Sequence, residues 1–203
     1  MRRLWPALSL LVMAPAGAAQ FYSLQVSHEG DRYLMSVDAH LAAPLAEVYA
    51  VITDYDHLTR IHAAILESRL VKHLDAHTDL VYSVHRGCVA FFCHSVKQLQ
   101  QVTRLTPEDV VGVTLPEQSN VKMGAIACHL EPDGDGTRMH WNITLEPDFW
   151  IPPLIGPGIL ESEMREEGRN TAIGVERLAR QLAGLAPLNP TDNHADPKAP
   201  PRH

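Results

Sequence analysis

Twelve histidines are the first residues in this chain that could do chemistry. His73 and His77 stand four apart, and His57 and His62 five apart. A spacing of four puts two imidazoles on one side of a helix, where they can hold zinc. Here the pair falls across a strand end and a turn, and no H-E-x-x-H or comparable cluster accompanies it, so the histidines point to no metal site. Asp54, Asp56, Glu117 and Asp148 are the acids near turns, and Asp54 and Asp56 suit helix capping better than acid–base work. Catalysis in an apolar pocket would need an Arg, His or Tyr projecting into it. His85, Arg86, His129 and His140 lie on strand-like segments and are the candidates, although His140 is expected to face solvent because Met139 and Trp141 claim the buried face. No nucleophile–base signature is present, and no motif calls for a cofactor.

Two short apolar segments stand out beside these polar groups. GCVAFFC brings Cys88 and Cys93 close together, with Cys128 far away. A Cys88–Cys93 disulfide across a hairpin would need Cα atoms within ~7 Å; three reduced, buried thiols are the alternative. With the bond, Phe91 and Phe92 sit at an exposed tip. With an earlier strand start they point to opposite faces, and one of them lines the interior. The second segment, EPDFWIPPLIGP, holds four prolines in residues 146–157. It is too short for a bilayer, which takes ~20 apolar residues, and too proline-rich for a helix or central strand. Phe149, Trp150, Leu154 and Ile155 either form a lid that also touches membrane or plug the end of the core.

The N-terminus reads MRRLWPALSLLVMAPAGAAQ: a basic start at Arg2 and Arg3, an apolar run from Leu4 to Met13, then small residues. That is the three-part pattern of a secretory signal peptide, covering residues 1–19, with cleavage after Ala18 or Ala19. An uncleaved anchor is the competing reading. The short run and the interruptions at Pro6 and Pro15 favour cleavage, and hence a periplasmic or secreted protein in an oxidising compartment that permits disulfides. The chain has 203 residues with a formal charge of −7 and no Lys/Arg cluster beyond its start, which argues against nucleic acid as a partner. Residues 186–203 are polar and proline-rich, a composition that cannot bury enough surface to order itself. One domain is expected over residues 20–185.

The elements that must position these groups follow from periodicity. Tyr33, Met35, Val37, Ala39 and Leu41 alternate as in a strand, preceded by a second strand, FYSLQVSH, across a Glu29-Gly30-Asp31 turn. Pro44 opens a helix, PLAEVYAVITD, and DHLTRIHAAI suggests another short one. From Ile65 to Glu146 about six strand-like segments follow, separated by turn signals, of which Pro132-Asp133-Gly134-Asp135-Gly136 is the strongest. In the last of them Met139, Trp141, Ile143 and Leu145 form one face of an antiparallel sheet. A single helix is expected from about Gly158 to Leu185, with Leu160, Met164, Gly168, Thr171, Val175, Leu178 and Leu182 as its inward stripe. The class is α+β: one antiparallel sheet covered on one face by one long helix.

In this arrangement VDAHLAAPLAEVYAVITDYDHLTRI, GCVAFFC and EPDFWIPPLIGP together resemble the START/SRPBCC superfamily, the helix-grip fold, and most closely its bacterial polyketide-cyclase and coenzyme-Q-binding branch. The resemblance covers residues 32–185. It implies a curved sheet (β-α-α-β6-α) wrapped around the C-terminal helix, with an elongated apolar cavity between them. The expected lining is Val113, Met123, Trp141 and Ile143 from the sheet and Leu160 and Met164 from the helix. Phe91, Phe92, Phe149, Trp150, Leu154 and Ile155 would lie at the mouth. The implied partner is a hydrophobic small molecule (a lipid, isoprenoid quinone or polyketide-like compound), with transient membrane contact through the rim. A cyclase or aromatase using the same cavity, or a ligand-free module of a membrane complex, are the alternatives.

Overall fold

The computed structural model describes residues 19–89, 92–151 and 156–188, with the backbone alone at 88, 89 and 92. The leader expected at the N-terminus, up to residue 18, most of the tail, and Phe91, Leu154 and Ile155 therefore lie outside the described residues.

The chain opens with a hairpin, β1 (Gln20–Glu29) and β2 (Arg32–Leu41), turned at Gly30, whose φ of 61° suits glycine. Pro44 then starts α1 (Leu45–Thr53). The second short helix is only a single 3-10 turn, Leu58–Arg60, with no side-chain cap. Asp56, expected as a cap, instead accepts the backbone N–H of Leu70 at 2.8 Å and so pins this turn to β3 (Ile65–His73). Five further strands follow: β4 (Thr78–Val89), β5 (Phe92–Arg104), β6 (Asp109–Thr114), β7 (Val121–Asp133) and β8 (Gly136–Pro147). The last helix, α2, runs Gly156–Leu182, starting two residues earlier and ending three earlier than the periodicity suggests. Leu182 is exposed, and the inward stripe ends at Leu178 and Ala179.

The eight strands form one sheet in the order β1-β2-β8-β7-β6-β5-β4-β3, antiparallel throughout. The chain leaves β2 near one edge, crosses through α1, and re-enters at β3 on the other. Helix α2 approaches α1 and three strands, β1, β2 and β4. Among the described residues, no backbone approach of comparable extent joins it to β5–β8. A helix that touches strands on both sides of a sheet but stands off the middle ones requires the sheet to curl around it, and space is left over the central strands. Two contacts set the depth of the helix. A Cβ at Gly168 would lie 2.8 Å from Met35 Sδ, and one at Gly174 only 2.2 Å from the Ile61 carbonyl oxygen. Bare backbone at these turns lets α2 sit against β2 and the 3-10 turn. The dry core is on that side: Val37, Ala39, Leu41, Val48, Leu130, Met139, Ala172, Val175 and Ala179 are buried together.

Candidate functional site

The register fixes which side chains face the space left by the helix. Residues paired across an antiparallel ladder share a face. Starting from Val37 and Met35 on β2, the inward row passes to Trp141 and Ile143 on β8, Cys128 and Ile126 on β7, and Val110 and Gly112 on β6. It continues through Val102 and Gln100 on β5 to Val81, Ser83 and His85 on β4. This row and the face of α2 enclose two lobes that share His85, Gln100, Ile126, Trp141 and Thr171. The inner lobe, about 170 Å³, lies toward α1 and is lined by Ile52, Tyr55, Leu58, Ile61, Val81, Ser83 and Val102 among others. The outer lobe, about 200 Å³, lies toward the β4–β5 hairpin and the start of α2, against Met35, His62, Val96, Gln98, Leu145, Leu160, Met164 and Glu167.

Of the expected lining, the structure places Trp141 at the junction of the lobes and Ile143, Leu160 and Met164 in the outer one. Val113 is not there. It is 57 % exposed, because Val110, Gly112 and Thr114 take the inward positions of β6 and leave Val113 on the solvent face. Met123 shares the outward parity of Ala127 and His129 beside a register shift in β7, and lines neither lobe. At the mouth, Phe149 stacks on His94 with ring centroids 4.6 Å apart, which brings the β8–α2 connection against the β4–β5 hairpin. Trp150 is 72 % exposed. The β4–β5 register sets Cys88 directly opposite Cys93, whose sulfur is disulfide-bonded, while Cys128 is a free thiol. Strand pairing continues from Cys88–Cys93 to Val89–Phe92. Among the described residues no three His, Cys, Asp or Glu converge as a metal site, and no described helix is long and apolar enough to cross a membrane.

The polar side chains in this cavity are the unexpected part. His85 faces both lobes, and burial pushes its imidazole down to about 4, with the neighbouring His62 adding to the effect. Burial also lowers His62. Its Nδ1 accepts the Ala64 N–H at 3.3 Å, so the neutral ring carries its proton on Nε2. That N–H lies 3.1 Å from Thr171 Oγ1 and 3.3 Å from Glu167 Oε2 on α2. Burial raises the Glu167 carboxyl to about 7, and the nearby Glu163 and Glu166 carboxylates push the same way. In the inner lobe the hydroxyls of Tyr55 and Ser83 are buried without a protein hydrogen-bond partner, and burial lifts the Tyr55 phenol to about 12. At neutral pH both imidazoles and the phenol are therefore uncharged, and Glu167 is the group that titrates.

Sequence reasoning points to His85 and Arg86 and puts Thr171 on the inward stripe of the helix, but misses His62, Tyr55, Ser83, Gln98, Gln100 and Glu167 as cavity residues. On TDLVYSVHRG both alternating rows mix apolar and polar residues, so parity alone does not reveal that Val81, Ser83 and His85 face inward. His129 and His140 point the other way, toward Asp109 and toward Asp38 and Glu131.

Comparison with known proteins agrees with this architecture. A search of curated proteins finds no match. Among solved structures, the Zhui aromatase/cyclase from Streptomyces sp. R1128 superposes with a TM-score of 0.62 at 15% identity, covering 76% of this chain and 99% of that one. A START superfamily protein from Mycobacterium smegmatis gives 0.60 at 14% identity, covering 73% and 98%. A STAR-related lipid transfer protein from Xanthomonas axonopodis gives 0.54 at 12% identity, covering 78% and 97%. At these identities the likeness is one of fold. Residues 34–186 match the family described as polyketide cyclase / dehydrase and lipid transport, and the chain belongs to that family.

Proposed function

We propose that the protein is an exported carrier or binding protein for a hydrophobic small molecule with an uncharged polar group. The observation that carries this reading is the two-lobed cavity, apolar over most of its wall, with the Tyr55 and Ser83 hydroxyls buried and unpartnered in its inner lobe. Burying a hydroxyl without a hydrogen bond costs about 1–3 kcal/mol in proteins. A ligand hydroxyl or carbonyl at that end would recover this, while its apolar body removes wall surface from water at about 25 cal/mol per Å² before the costs of association. A lipid, isoprenoid quinone or polyketide-like compound has this chemistry. The family's description supports the class of ligand, and the leader-like residues 1–19 support export to the periplasm or beyond. Native mass spectrometry of protein purified from its own host, followed by organic extraction, tests the proposal. A co-purifying apolar compound is the expected result. Protein that is repeatedly empty and takes up no apolar fluorescent probe refutes it.

A cyclase-type activity in the same cavity is the second reading, favoured by a specific observation. His62, His85 and Glu167 all face the outer lobe, and Glu167, at about 7, could give or take a proton near neutrality. Turnover of a poly-β-keto substrate that is abolished in Glu167→Gln, with probe binding retained, would establish it.

A further inference from the structure

Glu176 is fully buried on α2, where the other buried residues are small or apolar except Arg180. Its Oε1 accepts the Ala42 N–H at 2.7 Å and its Oε2 accepts the Ala19 N–H at 2.8 Å. Arg180, one turn on, does not take this carboxylate. Its Nη1 donates to the Ala42 carbonyl at 2.6 Å, and its Nε and Nη2 donate to the Ala186 carbonyl at 3.1 and 2.8 Å. Glu176 and Arg180 thus hold both polar groups of Ala42, at the exit of β2, which accounts for Oε1. Among the described residues, Oε2 is left with only the backbone nitrogen of the residue before β1. Burial raises this carboxyl, and the two amides with the nearby Arg180 and His40 charges offset that only in part; a buried carboxylate with no directly bonded cation is an incomplete arrangement.

The sequence offers a cation that could bond the carboxylate directly. Ala16-Gly17-Ala18 and Gly17-Ala18-Ala19 are both small-x-small triplets, so the sequence allows a leader cut after Ala18 or after Ala19, and the Ala19–Glu176 contact distinguishes the two. We infer that the leader is cut between Ala18 and Ala19 and that the new α-ammonium of Ala19 forms a buried ion pair with Glu176. A signal peptidase is the hydrolase class required. Water adds across the Ala18–Ala19 peptide bond, its oxygen leaves on Ala18 as carboxylate, and Ala19 nitrogen departs as the amine and is protonated. The neutral amide donor on Oε2 becomes a cation without a change of partner. Cleavage one residue later would discard the very nitrogen that Oε2 holds. The mature domain then begins at Ala19 rather than residue 20, and processing itself strengthens the tie between the start of β1 and α2.

This inference rests on reading residues 1–18 as an export leader, independently of what the cavity binds. Intact mass and N-terminal sequencing of protein recovered from the exported fraction of its host should show Ala19 first. An N-terminus at Gln20 or elsewhere, or an uncut chain, overturns it. Chains released with Ala18, Ala19 or Gln20 as first residue then test the seat without altering Glu176. The Ala19 chain should have the highest denaturation midpoint, and its α-amine should react with an amine reagent about tenfold more slowly than that of the Ala18 chain, as expected when a carboxylate raises the amine's pKa by about one. E176Q should erase the difference between the two. Equal midpoints and equal labelling rates overturn the ion pair even where the cut falls at Ala19.

Discussion

Replacing Glu167 by Gln should stabilise the protein at alkaline pH and leave it unchanged in acid. The carboxyl sits at 4.5 in an unfolded chain and is raised to about 7 by burial and by Glu163 and Glu166. Below pH 4.5 it is protonated in both states and contributes nothing to the balance. Between pH 4.5 and 7 it ionises only in the unfolded chain, so stability falls as pH rises; above 7 the deficit is constant. Fully expressed, a displacement of that size would amount to about 3 kcal/mol. With 34% of the side chain accessible, water screens much of it, and about 1 kcal/mol is the reasonable expectation. Gln keeps the size and a carbonyl oxygen beside His62 Nε2, whose hydrogen bond to Thr171 Oγ1 does not involve residue 167. Urea unfolding at pH 4 and pH 8 measures this directly. The variant should match the parent at pH 4 and exceed it by about 1 kcal/mol at pH 8, or about 2–4 °C in Tm for a chain of this size. No gain at pH 8, or the same gain at both values, would refute the assignment of Glu167 as a carboxyl held against its preferred charge.

Other expectations follow from the close approaches and from the buried thiol. Gly174→Ala drives a Cβ to 2.2 Å from the Ile61 carbonyl and should lower stability by about 1–3 kcal/mol in chemical denaturation. Gly158→Ala, with nothing within 4 Å of its Cβ, should be neutral or stabilise α2 by up to about 1 kcal/mol. Cys128, whose thiol burial pushes up to about 12, should resist iodoacetamide at pH 8 in the folded protein and react once it is unfolded, which mass spectrometry reads out.

The elements are legible in the sequence and the site is not, for a physical reason. TRMHWNITLEP carries a clean period of two because the inward row of β8 is apolar throughout, from Met139 in the core to Trp141, Ile143 and Leu145 on the cavity wall, and that alternation alone marks Trp141 and Ile143 as inward. The helix stripe is legible for the same reason from Leu160 to Leu178, and it fails at Leu182, which is exposed. Where a strand faces a cavity instead of a packed core, its inward positions need not be apolar, and the period blurs: Ser83 and His85 on β4 and Gln98 and Gln100 on β5 are inward and polar. Val113 misleads in the opposite sense, being an apolar residue on the solvent face of β6. Gly168, on the inward stripe without a side chain of its own, is where α2 lies close against Met35 and Val37. His62 and Glu167 meet across more than a hundred residues of chain, a juxtaposition that no local pattern carries.

The charge state of the cavity yields the most selective test of what it holds. At pH 8 the His62, His85 and Tyr55 side chains are neutral, while Glu167 is largely ionised and shares the outer lobe with Glu163. Arg86, exposed at the same lobe, is the cation set against those two carboxylates. An amphiphile ending in a hydroxyl can satisfy Tyr55 or Ser83 and adds no charge. The same chain ending in a carboxylate must either bury that charge in the inner lobe, at several kcal/mol, or leave it beside Glu163 and Glu167. A long-chain alcohol should therefore displace an apolar fluorescent probe at lower concentration than the matching fatty acid at pH 8, by about tenfold for each 1.4 kcal/mol of that penalty. At pH 5, where Glu167 is protonated and the acid is partly so, the gap should narrow. A fatty acid that binds as tightly as the alcohol at pH 8 would show that Arg86, and not the neutral inner wall, selects the ligand.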